Sequence, residues 1–102
     1  KRVFYIYDIP GGVTRGAHAH KTLRELIVAA TGSFEVRVFD GEREKIFLLN
    51  HPSKALYLPC GVWEELRNFS SGSVALVLAS TPYTPEDYYR DFEEFLKYKK
   101  EL

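Results

Sequence analysis

Two histidines one residue apart, His18 and His20, follow a glycine-rich turn in residues 12–21. Side chains on an extended strand alternate between faces, so residues two apart share a face and these imidazoles converge on one small volume. Imidazole changes charge near neutral pH and is a common metal ligand, so the pair suits either proton transfer or a metal site.

Positioning such a pair requires a rigid frame, and the flanking sequence reads as strands. Residues 2–8 are rich in aromatic and branched side chains and stop at Pro10, Gly11 and Gly12, which predicts a strand and a turn. The histidines fall on a second extended piece over 15–20. Residues 23–30 form a nearly continuous apolar run ending at Gly32, the pattern of a strand buried on both faces. Residues 33–40 alternate, with Phe34, Val36 and Val38 on one side and Glu35 and Arg37 on the other. Asp40 and Gly41 then supply a hairpin turn into a strand over 44–49. Further strands are expected over 55–58, 62–69 and 73–80. Short strands at such regular spacing point to an all-β antiparallel sandwich or barrel.

The C-terminus changes character. Thr84, Pro85 and Asp87 offer a cap, a first-turn proline and an acid at the third position, so a helix is expected to start here. Tyr88, Phe92, Phe95 and Leu96 would form its apolar face, and Lys97, Lys99 and Lys100 suit the negative end of its dipole.

Composition narrows the classes of function. The length of 102 residues with 45% apolar content is enough for one domain with a core and too short for two, so residues 1–102 are taken as a single domain. Fourteen basic and fourteen acidic residues cancel, so no strong field argues for nucleic acid or a membrane surface. A single cysteine, Cys60, excludes an internal disulfide and carries no chemistry that the sequence shows. His51 beside Pro52 reads as a surface-loop histidine. With no apolar run of membrane-span length and no signal-peptide pattern, a cytoplasmic location is expected. The chain contains no methionine and opens at Lys1 inside an apparent strand, so an N-terminal segment of the natural protein is expected upstream.

Gly12, His18, His20, Glu25 and Gly32 stand at the spacing of the first cupin motif: glycine, five residues, His-x-His, four residues, Glu, six residues, glycine. Pro59, Gly61 and Asn68 match the second motif, but Glu64 stands where that motif has histidine. A more specific resemblance covers most of the chain. The core Arg15-Gly16-Ala17-His18-Ala19-His20-Lys21, the strand carrying Tyr5 and Tyr7, and the tail from Tyr83 through Phe95 resemble the WxcM-like cupins, the sugar-nucleotide 3,4-ketoisomerases. These act on dTDP-4-keto-6-deoxy-D-glucose. The resemblance implies a jelly-roll barrel with a C-terminal helix, a homodimer with strand exchange, and catalysis without metal or other cofactor.

Moving a ketone from C4 to C3 takes the C3 proton, passes through an enediol(ate) and returns a proton to C4, which is acid and base work suited to imidazoles. By resemblance, His20 is the candidate for the carbon-bound proton and His18 for protons on oxygen. Tyr5 is expected near the sugar, with Tyr7 competing for that role. Arg15 and Lys21 are expected at the pyrophosphate, and Trp63 could stack on the nucleotide base.

Alternatives stay open at this point. His18, His20, Glu25 and Glu64 fill the four cupin ligand positions and would make a divalent metal site, which leads to a dioxygenase or a metal-assisted isomerase. Loss of the second-motif histidine also fits a non-catalytic nucleotide-sugar-binding cupin. Sheet packing is the alternative for Tyr5, core packing for Trp63 and solvated charge for Lys21. On the isomerase reading, the product feeds a transaminase that makes 3-amino-3,6-dideoxy sugars for bacterial surface glycans such as lipopolysaccharide.

Overall fold

The computed structural model describes residues 2–10 and 12–101. Lys1 and Gly11, which entered the strand and turn expectations, lie outside the described residues. Nine strands and one helix follow in order: β1 (Arg2–Tyr7), β2 (Arg15–His20), β3 (Glu25–Thr31), β4 (Phe34–Phe39), β5 (Glu44–Leu49), β6 (Ala55–Leu58), β7 (Trp63–Arg67), β8 (Val74–Ala79), β9 (Tyr88–Tyr89) and α1 (Phe92–Lys100).

The strands form two sheets, β1-β8-β3-β6 and β5-β4-β7-β2-β9, in which the paired strands run antiparallel. Alternation along each strand sends one row of side chains between the sheets. Ile27, Ala29, Ala75 and Val77 from the first sheet meet Phe34, Val36, Leu49 and Leu66 from the second in one apolar core. Phe34 stacks on Phe69 with ring centroids 5.2 Å apart. This is the two-sheet jelly roll with a C-terminal helix that the sequence implied.

Turn chemistry closes the strands. Asp40 accepts hydrogen bonds from the backbone N–H groups of Glu42 and Arg43, each at 2.8 Å, which fixes the expected hairpin between β4 and β5. Gly32 has φ +70, and a Cβ there would sit 2.6 Å from Ser70 Oγ and 2.7 Å from Ser73 Cβ, so only glycine fits.

Two expectations are corrected. Strand β3 is buried on one face only: Leu26 is 40% exposed, on the outer face it shares with Leu78 and Tyr57 across the register. The apolar run in the sequence marks an outer surface that is itself apolar. The helix does not start at Thr84 either. Pro85–Asp87 makes a single 3-10 turn with no side-chain cap from Thr84, and Tyr88–Tyr89 then pairs with β2 as β9. Aromatic residues favour extended backbone, and the free edge of β2 gives them partners, so tertiary pairing overrides the local cap signal. The helix begins after Asp91, whose carboxylate accepts from the Glu93 N–H at 2.9 Å. Phe92, Phe95 and Leu96 do form its buried face, against Ala19, Trp63 and Phe39 on the outside of the second sheet. Among the described residues, no helix is long and apolar enough to cross a membrane.

Candidate active site

The site lies between the sheets, at the end where β2, β7 and β9 face β1 and β3. Its geometry begins with an irregularity in β2. Arg15 pairs with Leu66 and His18 with Glu64, so Gly16 and Ala17 together oppose Glu65 alone. This extra residue is a β-bulge, and both its members have positive φ, +92 at Gly16 and +37 at Ala17. The bulge resets the alternation, so Arg15 and His18 both face inward. Regular spacing then brings His20 to the same face, with its ring centroid 4.8 Å from that of His18.

Each imidazole meets a carboxyl. His18 Nε2 lies 3.1 Å from Glu64 Oε1. His20 Nε2 lies 3.6 Å from Glu25 Oε1 and 4.0 Å from Glu64 Oε1. Glu64 comes from β7, directly across from His18, and Glu25 from the inward face of β3 in the other sheet. His20, Glu25 and Glu64 are at most 5% exposed. Tyr88 closes the third side, its ring centroid 5.0 Å from His18 and 4.5 Å from His20.

Burial sets the charge states. Desolvation, helped by the neighbouring Glu25 charge, pushes the Glu64 carboxyl well above the usual range, which favours its neutral form. Burial also lowers His18 to about 4, with His20 next to it acting in the same direction. Burial alone would raise Glu25, but the adjoining His20 and the hydrogen bond with Glu64 outweigh it and hold Glu25 below its ordinary value. The cluster therefore sets a Glu25 that favours the carboxylate beside a Glu64 that favours the neutral acid and a neutral His18 imidazole. The Glu64 hydroxyl can donate to His18 Nε2, a short path for a proton.

Above this floor opens a cleft of about 430 Å³, bordered by His18, Glu25 and Glu64 and by three arginines, Arg2, Arg15 and Arg90. Two of the arginines are braced reciprocally by two tyrosines. Arg2 donates to Tyr88 Oη at 3.4 Å and lies 5.3 Å from the Tyr83 ring, while Arg90 donates to Tyr83 Oη at 3.2 Å and lies 4.2 Å from the Tyr88 ring. The arrangement is an acid and base floor below a cationic mouth, suited to an uncharged reacting group tethered to an anion.

The structure brings His18, His20, Glu25 and Glu64 together at the floor of the cleft, with Arg15 at its border. Tyr5, on the edge strand β1, borders the cleft, but its side chain lies on the outer face with Val3 and Tyr7; Tyr5 is 60% and Tyr7 62% exposed. The inward positions of β1 belong to Phe4 and Ile6, which pack on the core. Trp63 is also on the far side of its sheet, under α1 against Phe92 and Phe95, where its Nε1–H donates to Glu65 Oε2 at 3.0 Å. It is a core residue. Lys21 is exposed, with its ammonium 5.0 Å from the Tyr89 ring on that same outer side. Arg2, Tyr83, Tyr88 and Arg90 went unpredicted. The tail motif contained three of them, but reading it as helix hid their convergence.

For a divalent ion, His18, His20 and Glu64 each offer a ligand atom, all within 4.8 Å of one another. This two-histidine, one-carboxylate donor set fits such an ion, which would polarise a keto oxygen as a Lewis acid. Glu25, the fourth residue of the alternative ligand set, is not part of that group.

Known proteins carry the same frame. The curated TDP-4-oxo-6-deoxy-alpha-D-glucose-3,4-oxoisomerase of Aneurinibacillus thermoaerophilus is 43% identical over 98 residues, covering 96% of this chain and 70% of that protein. A crystal structure of a 3,4-ketoisomerase from Helicobacter canadensis superposes with a TM-score of 0.95 at 43% identity, over 98% of this chain and 75% of the other. A mutant of QdtA, the 3,4-ketoisomerase from Thermoanaerobacterium thermosaccharolyticum, in complex with TDP-4-keto-6-deoxyglucose, gives 0.97 at 39% identity, over 99% and 73%. The family described as "FdtA: WxcM-like, C-terminal" matches residues 1–100, and with this fold and this His18–His20 cluster the chain belongs to that family.

Proposed function

We infer that the protein is a sugar-nucleotide 3,4-ketoisomerase that converts a TDP-4-keto-6-deoxyhexose to its 3-keto isomer. The observation that carries this reading is the buried cluster of His18, His20, Glu25 and Glu64 at the floor of a cleft with an arginine-lined mouth. The diphosphate would be held by Arg15, Arg2 and Arg90, which leaves the sugar over the imidazoles. One imidazole takes the proton from C3, electrons move into an enediolate, and a proton returns to C4 as the oxygens exchange theirs. His18, which borders the cleft and lies 3.1 Å from Glu64, is the candidate for the carbon-bound proton, and His20, expected in that role from the sequence but buried behind the cleft, for relaying protons through Glu25. Atoms balance without an external oxidant, because the reaction only relocates two protons and an electron pair.

A second copy of the chain is the proposed partner. The outer face of β1, β8, β3 and β6 exposes Val3, Tyr5, Tyr7, Leu26, Tyr57 and Leu78 together, an apolar sheet surface of the kind homodimers cover. In such a dimer Tyr5 would serve the interface. A nucleotide-sugar substrate places the enzyme in the cytoplasm, and a transaminase making 3-amino-3,6-dideoxy sugars for surface glycans would consume its product.

The test is proton NMR of the protein with TDP-4-keto-6-deoxyglucose in deuterated water. Deuterium at the sugar carbons and a new keto sugar are expected. Tight binding with no exchange would select a non-catalytic sugar-binding cupin, and a stoichiometric metal retained after dialysis and required for turnover would select the metal-dependent one.

A further inference from the structure

Asp87 was expected to sit in the first turn of a helix, and the structure gives it different work. Its Oδ1 accepts from the Thr22 N–H at 3.0 Å and from Thr22 Oγ1 at 2.7 Å, and its Oδ2 accepts from the Leu23 N–H at 3.1 Å. The Asp87 carbonyl accepts from the Lys21 N–H at 2.7 Å. Three bonds to the carboxylate and one to the backbone carbonyl, from three consecutive residues, thus lock Asp87 against the turn that leaves β2. Oδ2 itself lies 4.0 Å from His20 Nδ1.

His20 needs such a neighbour. Both its ring nitrogens are buried without a hydrogen-bond partner among the described residues. On the Nε2 side stand Glu25 and Glu64, and on the Nδ1 side stands Asp87. A neutral imidazole carries one N–H, and the group facing one nitrogen decides which atom of the other can act as base. We propose that Asp87 is the positioning residue for His20: its carboxylate keeps the proton on Nδ1 and so commits Nε2 to the exchange of protons with Glu25, which borders the cleft. Drawing the two atoms from 4.0 Å to hydrogen-bond length needs a movement of about 1 Å, within the reach of a ring turn. When Nε2 takes a proton, the fixed carboxylate steadies the imidazolium. The three donors from Thr22 and Leu23 hold the Asp87 carboxylate in place and prevent it from swinging away.

This inference rests on the isomerase reading only for its effect on rate, because the tautomer can be measured without turnover. Nitrogen-15 NMR of the histidine-labelled protein should show His20 with the proton on Nδ1. A spectrum with the proton on Nε2 alone would overturn the proposal whether or not the protein isomerises a sugar. Asp87→Asn should lower kcat by roughly 10- to 100-fold with KM nearly unchanged, and should shift the His20 spectrum toward the Nε2–H form. Thr22→Val removes one bond to Asp87 while sparing its charge, and should leave the tautomer and kcat within about twofold. If Asp87→Asn and Thr22→Val lose kcat alike with the Nδ1–H signal intact, Asp87 merely holds the turn and the proposal fails. Should Asp87→Asn not fold, the wild-type spectrum alone decides.

Discussion

Arg15 and His18 stand three residues apart on β2 yet face the same cleft, because Gly16 and Ala17 together oppose Glu65. Three residues of regular strand would put them on opposite faces. The bulge therefore joins the cationic mouth to the imidazole floor, and its cost is carried by left-handed backbone at both positions. Gly16→Val, which disfavours that backbone, is expected to lower stability by about 1–3 kcal/mol in urea unfolding and to weaken TDP binding as Arg15 is misdirected. Ala17→Gly should stabilise by up to about 1 kcal/mol. A Gly16→Val protein with wild-type stability and TDP affinity would mean that the bulge does not direct Arg15.

The buried acids and imidazoles make stability depend on pH in two opposing ways. His18 titrates at about 4 in the fold and near 6.5 when unfolded, so between those values the unfolded chain binds the extra proton and stability falls as pH falls. The full effect is on the order of 3 kcal/mol, lost progressively from pH 6.5 down to about 4. Glu64 is raised in the fold, so its contribution is present below 4.5 and is lost as pH rises toward its folded value. Glu64→Gln, which copies the neutral acid, should keep or raise the melting temperature at pH 8 while it abolishes the proton path to His18 and lowers kcat. Thermal melts across pH 4–9 check both slopes, and a His18→Asn protein that still loses stability from pH 6.5 to 4 to the same extent would remove His18 as the cause.

Arginines at the mouth and tryptophan under the helix give opposite signatures. Arg90→Ala should raise the Kd for TDP roughly 10-fold or more, with a weaker dependence on salt, since it removes a charge-assisted contact to phosphate. Trp63→Phe should cost about 1–3 kcal/mol of stability and leave TDP affinity unchanged, because Trp63 packs on Phe92 and Phe95 away from the cleft. Calorimetric titration with TDP and urea unfolding separate the two. Tighter or weaker TDP binding in Trp63→Phe would return the ring to the nucleotide site.

The outer apolar face predicts assembly. Leu78→Glu places a charge at the centre of the surface formed by β1, β8 and β3, and should convert a dimer to a monomer in sedimentation while circular dichroism stays that of folded protein. A wild-type protein that sediments as a monomer at micromolar concentration would leave that face without its proposed partner.

What the sequence determined by itself was local and periodic. His18 and His20 are two residues apart on a strand, and the period of two sufficed to pair their rings. The Asp40–Gly41 hairpin was legible because its turn carries its own acceptor, and the spacing from Gly12 through Gly32 was enough to mark the jelly roll. Tertiary structure decided whatever depends on which face meets what. Tyr5 and Trp63 share their alternation pattern with inward residues, and nothing local says that Phe4 and Glu64 take the inner positions instead. Asp87, Tyr88 and Arg90 carried a helix-start signal, but the unpaired edge of β2 outbid it. Glu64 reads in sequence as a missing histidine; only its burial beside Glu25 raises its carboxyl above the usual range, because desolvation is a property of the folded neighbourhood rather than of the residue.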